Sequence, residues 1–237
     1  MKQVDVVFCT DANFFSYLSV ALKSIVNSAS REVKYVVHVV HNGVSYLDEG
    51  LLRSELKRVP NFYLNFVDVR QYESLLDGVY ISGHLTIATY WRIMLPLLLP
   101  KVDKVLYLDV DTLVLDDVAL VFDEMGEYEI AGCVDYGIGF SKRGEWHKKE
   151  SLKMLEKYGY TNFKNYINAG VLLLNLNVWR ERKIACKLID LIVANNFQYH
   201  DQDALNVFFN GRIKILDSRW NFNVNSKLHG YAESAMD

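Results

Sequence analysis

Val105-Leu106-Tyr107-Leu108-Asp109-Val110-Asp111 is the stretch that decides the fold of this 237-residue chain. Four consecutive apolar residues predict a short buried strand, and two carboxylates follow where that strand ends. Because residues i and i+2 of an extended segment point the same way, Asp109 and Asp111 can converge on one point. Two carboxylates that close repel each other unless a cation lies between them, and hard oxygen ligands suit Mg²⁺ or Mn²⁺. A polar strand end that simply faces solvent explains the same residues.

Short apolar runs and helical patterns alternate along the chain on both sides of this stretch. The predicted strands are residues 4–9, 33–40, 63–69, 104–108, 130–134 and 171–176. The predicted helices are residues 16–28, a helix that starts at Ser45 with Asp48 as its capping partner, 84–98 and about 184–197. This order predicts an α/β fold with helices on both faces of the sheet. Ligands bind such sheets at the carboxyl ends of strands, which singles out Thr10, Asp11, Asp109, Asp111 and Asp135.

Composition excludes several classes of protein. The chain is 51% hydrophobic and 23% charged with a net charge of −3, which excludes a disordered chain and disfavours nucleic acid as a partner. Three cysteines far apart in sequence form neither a disulfide framework nor a zinc motif, and reduced thiols fit a cytoplasmic protein. We find no signal peptide pattern, and the longest apolar run is broken by Pro96, so it is too short to span a bilayer. Without repeats or linkers, one domain over residues 1–237 is expected.

Two classes of enzyme carry an Asp-x-Asp pair after a buried strand. Haloacid-dehalogenase-type phosphatases use Asp-x-Asp-x-Thr near the start of the chain, whereas here Thr112 follows Asp111 directly. The other class is the nucleotide-sugar glycosyltransferases, in which a metal held by the pair clamps a diphosphate.

Other segments favour the second class. The sequence Val7-Phe8-Cys9-Thr10-Asp11-Ala12-Asn13-Phe14 opens the chain, and four further segments at 84–96, 104–111, 168–176 and 200–206 follow it. They include Thr89-Tyr90-Trp91-Arg92, Asn168-Ala169-Gly170 and Asp201-Gln202-Asp203. Together and in this order they resemble glycosyltransferase family 8, which includes bacterial lipopolysaccharide galactosyl- and glucosyltransferases and glycogenin. The resemblance implies a glycosyltransferase A type domain with a Rossmann-like central sheet.

The resemblance also implies an activity. The enzyme would transfer a hexose, galactose or glucose, from a UDP-sugar donor to a glycan or lipid-linked saccharide acceptor, with retention of the anomeric configuration. The reaction would belong to bacterial lipopolysaccharide or surface polysaccharide synthesis. Its cofactor would be Mn²⁺ or Mg²⁺. The alternative is a non-catalytic nucleotide-sugar-binding module. The family usually supplies a third metal ligand in a His-x-x-Gly-x-x-Lys-Pro-Trp-like segment near its C-terminus, and His229-Gly230 does not match it. The chain is therefore expected to be C-terminally truncated relative to the family and to lack the family's membrane-docking tail. Through that missing tail the protein would make peripheral contact with the inner face of the membrane.

The resemblance assigns site residues by position. The metal ligands would be Asp109 and Asp111, the catalytic residues Gln202 and Asp201, and the acceptor-binding residues His84 and Thr86. The nucleotide-sugar would contact Cys9, Thr10, Asp11, Asn13, Arg92, Asp109, Val110, Asp111, Asp135, Asn168, Ala169, Asp201 and Gln202. A neutral amide is a poor nucleophile, so Gln202 fits a front-face mechanism, in which it stabilises oxocarbenium-like charge, better than a double displacement.

Several of these residues have a structural explanation too. Asp11 and Asn13 could bind uracil or ribose, or cap the turn before the first helix, or do both. Arg92 could bind the diphosphate or sugar, or form a buried ion pair. Asn168 beside Gly170 could meet a ligand or form an ordinary turn, and Asp201 could hold sugar hydroxyls or cap its helix. The basic cluster at 142–149 is either a solvated loop or an acceptor-side lid in which Trp146 stacks on a sugar.

Overall fold

A computed structural model describes residues 1–82, 86–140 and 152–222 of the protein. Seven strands in these ranges form one mixed sheet. The strands are β1 (Lys2–Thr10), β2 (Val33–His41), β3 (Phe62–Asp68), β4 (Lys104–Leu108), β5 (Ile130–Val134), β6 (Ile167–Asn175) and β7 (Ile213–Ile215). Their order across the sheet is β3-β2-β1-β4-β6-β5-β7.

Ten α-helices accompany the sheet within the same ranges. They are α1 (Phe15–Ser28), α2 (Tyr46–Leu56), α3 (Ala88–Trp91), α4 (Leu95–Leu98), α5 (Val118–Phe122), α6 (Tyr136–Phe140), α7 (152–157), α8 (Leu176–Glu181), α9 (Ile184–Val193) and α10 (His200–Phe208). None of the described helices is long and apolar enough to cross a lipid bilayer.

One strand runs against its neighbours. The first four strands are parallel to one another, whereas β6 is antiparallel to both β4 and β5, and β7 is parallel to β5. The alternation of strands and helices predicts the α/β class correctly but does not reveal this reversal. Its effect is that β6 begins at the edge of the sheet where β4 and β5 end.

Helices cover both faces of the sheet, as predicted. Successive strand residues point to opposite faces, so Val7 and Tyr107 pack in one apolar cluster and Phe8 and Leu106 in the other. The first cluster is completed by α3, α4, α8, α9 and α10, and the second by α1, α2 and α5. The sheet is therefore the middle layer of three.

The second helix begins where the sequence predicts. Ser45 Oγ accepts a hydrogen bond from the backbone N–H of Asp48 at 3.1 Å and donates one to the Asp48 carboxylate at 2.6 Å. Only some of its leucines pack against the sheet: Leu52 and Leu56 are buried, while Leu47 and Leu51 are exposed. Those two leucines lie along a separate i, i+4 line of the helix, which does not face the sheet.

The helix predicted over residues 84–98 is interrupted. Helix α3 ends at Trp91, a 3₁₀ turn covers Arg92–Met94, and α4 starts at Leu95. Pro96 explains the break, because proline lacks a backbone N–H and its ring clashes with the carbonyl four residues earlier. The turn places Arg92 inside the protein.

The start of β6 and the end of α9 also differ from the prediction, and one strand was not predicted. Strand β6 starts at Ile167 rather than at residue 171, and α9 ends at Val193 rather than at 197. The short edge strand β7 has no counterpart in the predicted elements. A three-residue strand carries too few residues for a period-2 pattern to be recognised.

Candidate active site

The carboxyl ends of β4 and β5 and the beginning of β6 meet at one edge of the sheet. Asp109 directly follows β4, and its backbone N–H donates to the carbonyl of Gly170 at 2.8 Å. Asp135 follows β5, and its N–H donates to the carbonyl of Tyr166 at 2.7 Å. The reversed strand thus brings Asn168 between the two aspartates.

Asp109 and Asp111 are differently placed. The Tyr107 hydroxyl donates to Asp109 Oδ1 at 2.6 Å, and Asp109 is partly buried. Asp111 is exposed as a residue, yet desolvation of its carboxyl, with the negative charge of Asp109 second, raises the pKa of Asp111. The two carboxylates are therefore close enough to repel each other.

Arg92 joins three segments of the site. Its guanidinium is buried, with Nη2 3.1 Å from Asp109 Oδ1 and Nε 3.0 Å from Asp201 Oδ2. Nη1 donates to the carbonyl of Ala169, and the guanidinium carbon lies 4.3 Å from the centre of the Tyr107 ring. The structure therefore shows the buried ion pair that the sequence left as one alternative for Arg92, and the contact with a diphosphate or sugar stays a prediction.

Asp201 is held from two sides at the start of α10. The Thr89 hydroxyl donates to Asp201 Oδ1 at 2.7 Å, and Arg92 meets the other oxygen. Burial raises the pKa of the Asp201 carboxyl, and the positive charge of Arg92 opposes that shift. The alternative that Asp201 caps the helix is wrong, because the helix already begins at His200, the cap position is Tyr199, and Asp201 lies inside the first turn.

The side-chain amide of Gln202 is held at both ends. Its Oε1 accepts the backbone N–H of Ala169 at 2.9 Å. Its Nε2 donates to Asp135 Oδ2 at 3.1 Å and, over a longer 3.4 Å, to the hydroxyl of Tyr166. The amide therefore connects α10 to β6 and to the end of β5.

Asn168 lies beside this amide. Its Nδ2 donates to Asp135 Oδ2 at 3.2 Å, and its Oδ1 accepts both the N–H of Gly170 at 2.8 Å and Nδ2 of Asn221 at 2.9 Å. A Cβ on Gly170 would come within 2.9 Å of Asn168 Oδ1 and 3.0 Å of Asp109 Oδ2. Any larger residue at this position would force the side chains of Asn168 and Asp109 to move.

The loop after β1 has the capping arrangement that the sequence offered as an alternative. Asp11 Oδ1 accepts the N–H groups of Asn13 at 2.9 Å and Phe14 at 3.3 Å, just before α1. Asn13 itself is exposed, and Thr10 Oγ1 donates to the carbonyl of Asp11 at 3.0 Å. Burial raises the pKa of the Cys9 thiol, so Cys9 is a neutral thiol and not a nucleophile.

The structure describes only some of the remaining predicted site residues. Val110 and Thr86 are half-buried, and Ala169 is buried. His84, the basic cluster at 142–149 and His229 lie outside the described residues. Among the residues described, no group of three or more histidines, cysteines and acids could enclose a metal.

The pair Asp109 and Asp111 nevertheless fits a divalent cation as a partial ligand set. Both supply hard carboxylate oxygens, and a cation between them would relieve the repulsion from Asp109 that, after desolvation, raises the pKa of Asp111. Magnesium and related ions usually complete their coordination with water and phosphate oxygens, so two protein ligands are enough for a bound diphosphate complex.

Four site residues are absent from the prediction. Thr89 holds Asp201, while Tyr166 contacts both Gln202 and Asp203. Asn206 fixes α10 to β6, because its Oδ1 accepts the N–H of Ile167 at 2.8 Å and its Nδ2 donates to the carbonyl of Ile167 at 2.9 Å. Thr89, Asp203 and Asn206 belong to motifs that the sequence singled out. Their roles depend on residues far away in sequence, which a local pattern does not show.

Comparison with known proteins identifies the family. The family model described as Glycosyl transferase family 8 matches residues 5–235. General stress protein A of Bacillus subtilis (strain 168) is 28% identical over 91% of this chain and 72% of its own length. The lipopolysaccharide 1,3-galactosyltransferase of Salmonella typhimurium (strain LT2) is 27% identical over 94% of this chain, which spans only 65% of that relative.

Solved structures agree with the sequence comparison. The galactosyltransferase LgtC, in complex with donor and acceptor sugar analogues, is 31% identical, with a TM-score of 0.78 over 95% of this chain and 77% of that one. The bifunctional glycosyltransferase WbbM is similar in fold, with a TM-score of 0.83 over 99% of this chain and 44% of that one. Since the family model covers nearly the whole sequence, the protein belongs to glycosyl transferase family 8.

Proposed function

We propose that the protein is a hexosyltransferase that moves glucose or galactose, with retention, from a UDP-sugar to a glycan or lipid-linked saccharide of the bacterial surface. The observation that carries this proposal is the buried bridge of Arg92 between Asp109 and Asp201. This bridge links Asp109, a member of the carboxylate pair suited to a metal and diphosphate, to Asp201, the carboxylate expected to hold sugar hydroxyls. The names of the Salmonella relative and of LgtC support the hexose, and a cytoplasmic location with peripheral membrane contact belongs to the same proposal.

In this proposal Asp109 and Asp111 hold a manganese or magnesium ion, which would neutralise the charge that grows on the departing diphosphate. Arg92 keeps Asp109 in place from behind and adds positive charge to the same region. Tyr107 donates to the oxygen of Asp109 that also faces Arg92, and this leaves Oδ2 on the Gly170 side. The carboxylate is thus oriented before any ligand arrives.

The donor would lie across the edge of the sheet. Asp11 uses Oδ1 for the turn before α1, so its second oxygen can meet the uracil or ribose together with Asn13. We propose that Asn168 and Asp201 hold sugar hydroxyls, with Asp201 fixed by Thr89 and Arg92. A front-face reaction is favoured over a double displacement, because the amide of Gln202 is neutral and already engaged at both ends.

The decisive experiment measures UDP binding by calorimetry with Mn²⁺ and again with EDTA. We expect binding that depends on the metal, and we expect Asp111→Asn to weaken it severely without unfolding the protein, since it removes a repulsive charge. Asp116→Asn is the matched control, because Asp116 is an exposed aspartate of the same loop. Equal UDP affinity with Mn²⁺ and EDTA would refute the metal clamp.

Donor class and catalysis are tested separately. In a thermal-shift panel a uridine nucleotide at 100 times its Kd should stabilise the fold by about 2.7 kcal/mol, and GDP should not. A mass-spectrometric screen for hydrolysis of UDP-glucose and UDP-galactose then ranks donors without an acceptor. Tight, metal-dependent UDP binding with no turnover of any UDP-sugar would favour the non-catalytic binding module.

A further inference from the structure

The amide of Gln202 has two N–H groups and one carbonyl oxygen, and the protein engages all three. Asp135 and Tyr166 accept from Nε2, and Ala169 donates to Oε1. An amide nitrogen has two hydrogens to donate, whereas its oxygen has two lone pairs. With the partners that the described part of the chain supplies, one lone pair of Oε1 remains free for a substrate.

The Tyr166 hydroxyl is restricted in what it can offer to Gln202. It donates its one proton to Asp203 Oδ1 at 2.6 Å, and its oxygen can then only accept from Gln202. Asp203 is itself fixed, since its other oxygen accepts the N–H of Tyr199. Tyr166 and Asp203 together therefore favour the orientation of the Gln202 amide in which its nitrogen faces Tyr166 and its oxygen faces Ala169.

Tyr166 is anchored independently of this contact. Its ring is fully buried, in a small apolar cluster with Ile138, Leu155 and Tyr160. The Tyr160 ring meets it edge to face at 6.0 Å. The hydroxyl is thus presented to α10 from a rigid base of side chains.

We propose that Tyr166, held by Asp203, is a positioning residue that locks the amide of Gln202 so that only its carbonyl oxygen faces the donor sugar. The proposal rests on the function proposed above for its catalytic consequence. The orientation of the amide, however, is a property of the protein without substrate and can be measured without turnover.

Tyr166→Phe removes the hydroxyl and keeps the buried ring. The matched control is Tyr160→Phe, which removes a hydroxyl from the same cluster, where its one hydrogen bond within the described residues is a 3.5 Å contact with Asn206 Oδ1. A role in packing alone predicts the same result for both variants. A positioning role predicts an effect on Gln202 only for Tyr166→Phe.

The first measurement is hydrogen exchange of the Gln202 side-chain amide by NMR in the protein without ligand, with the signal assigned from its loss in Gln202→Ala. We expect about 3- to 10-fold faster exchange in Tyr166→Phe and no change in Tyr160→Phe. The side-chain amide of Asn61, which donates to Ser30 and Val33 far from the site, reports on the fold as a whole. Unchanged exchange at Gln202, or an equal increase at Gln202 and Asn61, would overturn the proposal.

The second measurement is steady-state turnover of the UDP-sugar. Tyr166→Phe should lower kcat about 3- to 10-fold while KM for the donor stays within 2-fold, and Tyr160→Phe should match the wild type. A rise in KM at unchanged kcat would contradict the positioning role. If the wild type turns over no UDP-sugar, the proposed function fails while the exchange experiment still decides the role of Tyr166.

Discussion

Replacing Arg92 by methionine tests the buried bridge at the centre of the site. The change keeps an unbranched apolar side chain and removes the charge that faces Asp109 and Asp201. The Asp201 side chain is only 5% exposed, so water cannot take the place of the guanidinium there, whereas Asp109 at 36% is partly solvated. The main effect is therefore a stranded negative charge at Asp201.

The expected loss follows from that burial. Removing one partner of a buried ion pair destabilises a protein by about 3–5 kcal/mol, because the other charge stays uncompensated. For a protein of this size each kcal/mol lowers Tm by about 2–4 °C, so Arg92→Met should melt about 6–20 °C below the wild type. Since total stabilities are about 5–15 kcal/mol, this is a large fraction of the whole.

Guanidinium chloride unfolding followed by tryptophan fluorescence measures the loss, because Trp91 and Trp179 are both buried. Arg53→Met is the control, since Arg53 pairs with Glu49 on the surface of α2 and should cost under about 1 kcal/mol. Adding Asp201→Asn to Arg92→Met should restore part of the stability by removing the stranded charge. A loss for Arg92→Met no larger than that for Arg53→Met would refute the reasoning.

The same variant should depend on pH in a defined direction. Burial already raises the pKa of Asp201, and loss of Arg92 removes the charge that opposes this shift. A carboxyl with a raised pKa in the folded state destabilises the fold above that pKa, and the cost disappears as pH falls toward the unfolded value. The loss of unfolding free energy in Arg92→Met relative to the wild type should therefore shrink on acidification. A loss that stays constant with pH would contradict the stranded charge.

Three further changes test other parts of the site. Gly170→Ala should weaken metal-dependent UDP binding at least 10-fold by calorimetry, because its Cβ would crowd Asn168 and Asp109; unchanged affinity would show that these side chains can shift without harm. Burial raises the pKa of Asp203 to about 6, so wild-type stability should fall by about 2–3 kcal/mol as pH rises from 4 through 6; urea unfolding should show a smaller fall for Asp203→Asn, and equal falls would refute the assignment. Gln202→Ala should reduce turnover by about 1–3 kcal/mol of transition-state stabilisation with UDP affinity nearly unchanged, whereas complete inactivation, or a trapped glycosyl adduct on Gln202 or Asp201, would favour double displacement.

Local chemistry explains which parts of the fold could be predicted. Strand β4 and the start of α2 follow from an apolar run and a Ser45–Asp48 capping box, signals carried by neighbouring residues. The direction of β6 could not be read in the same way, since an apolar run has no polarity along the chain. The 3₁₀ turn at Arg92 was also missed, although Pro96 marked the place.

The same distinction between local signals and distant contacts applies to the candidate site. Its strand-end aspartates were predicted from the sequence pattern, and Asn168, Asp201 and Gln202 from the resemblance to the family. Their pairing, however, joins residues that lie far apart, such as Thr89 with Asp201 and Asp135 with Gln202. Tyr166 was missed because a tyrosine at the start of an apolar strand is more often core packing than a hydrogen-bonding group of a site. Its hydroxyl acquires a role only through the fold.

The reversed strand β6 also constrains the order in which the protein can assemble. Strands β4 and β5 do not pair with each other; each pairs with β6, which follows both of them in the chain. During synthesis, β1 to β4 can form a parallel half-sheet early, but β5 has no neighbour until β6 has been made. We expect β6 docking to be a late, slow step, since pairs such as Leu106 with Leu173 close long loops. Until then the exposed edge of β4 is open to pairing with other chains, so this nascent half is where aggregation would begin.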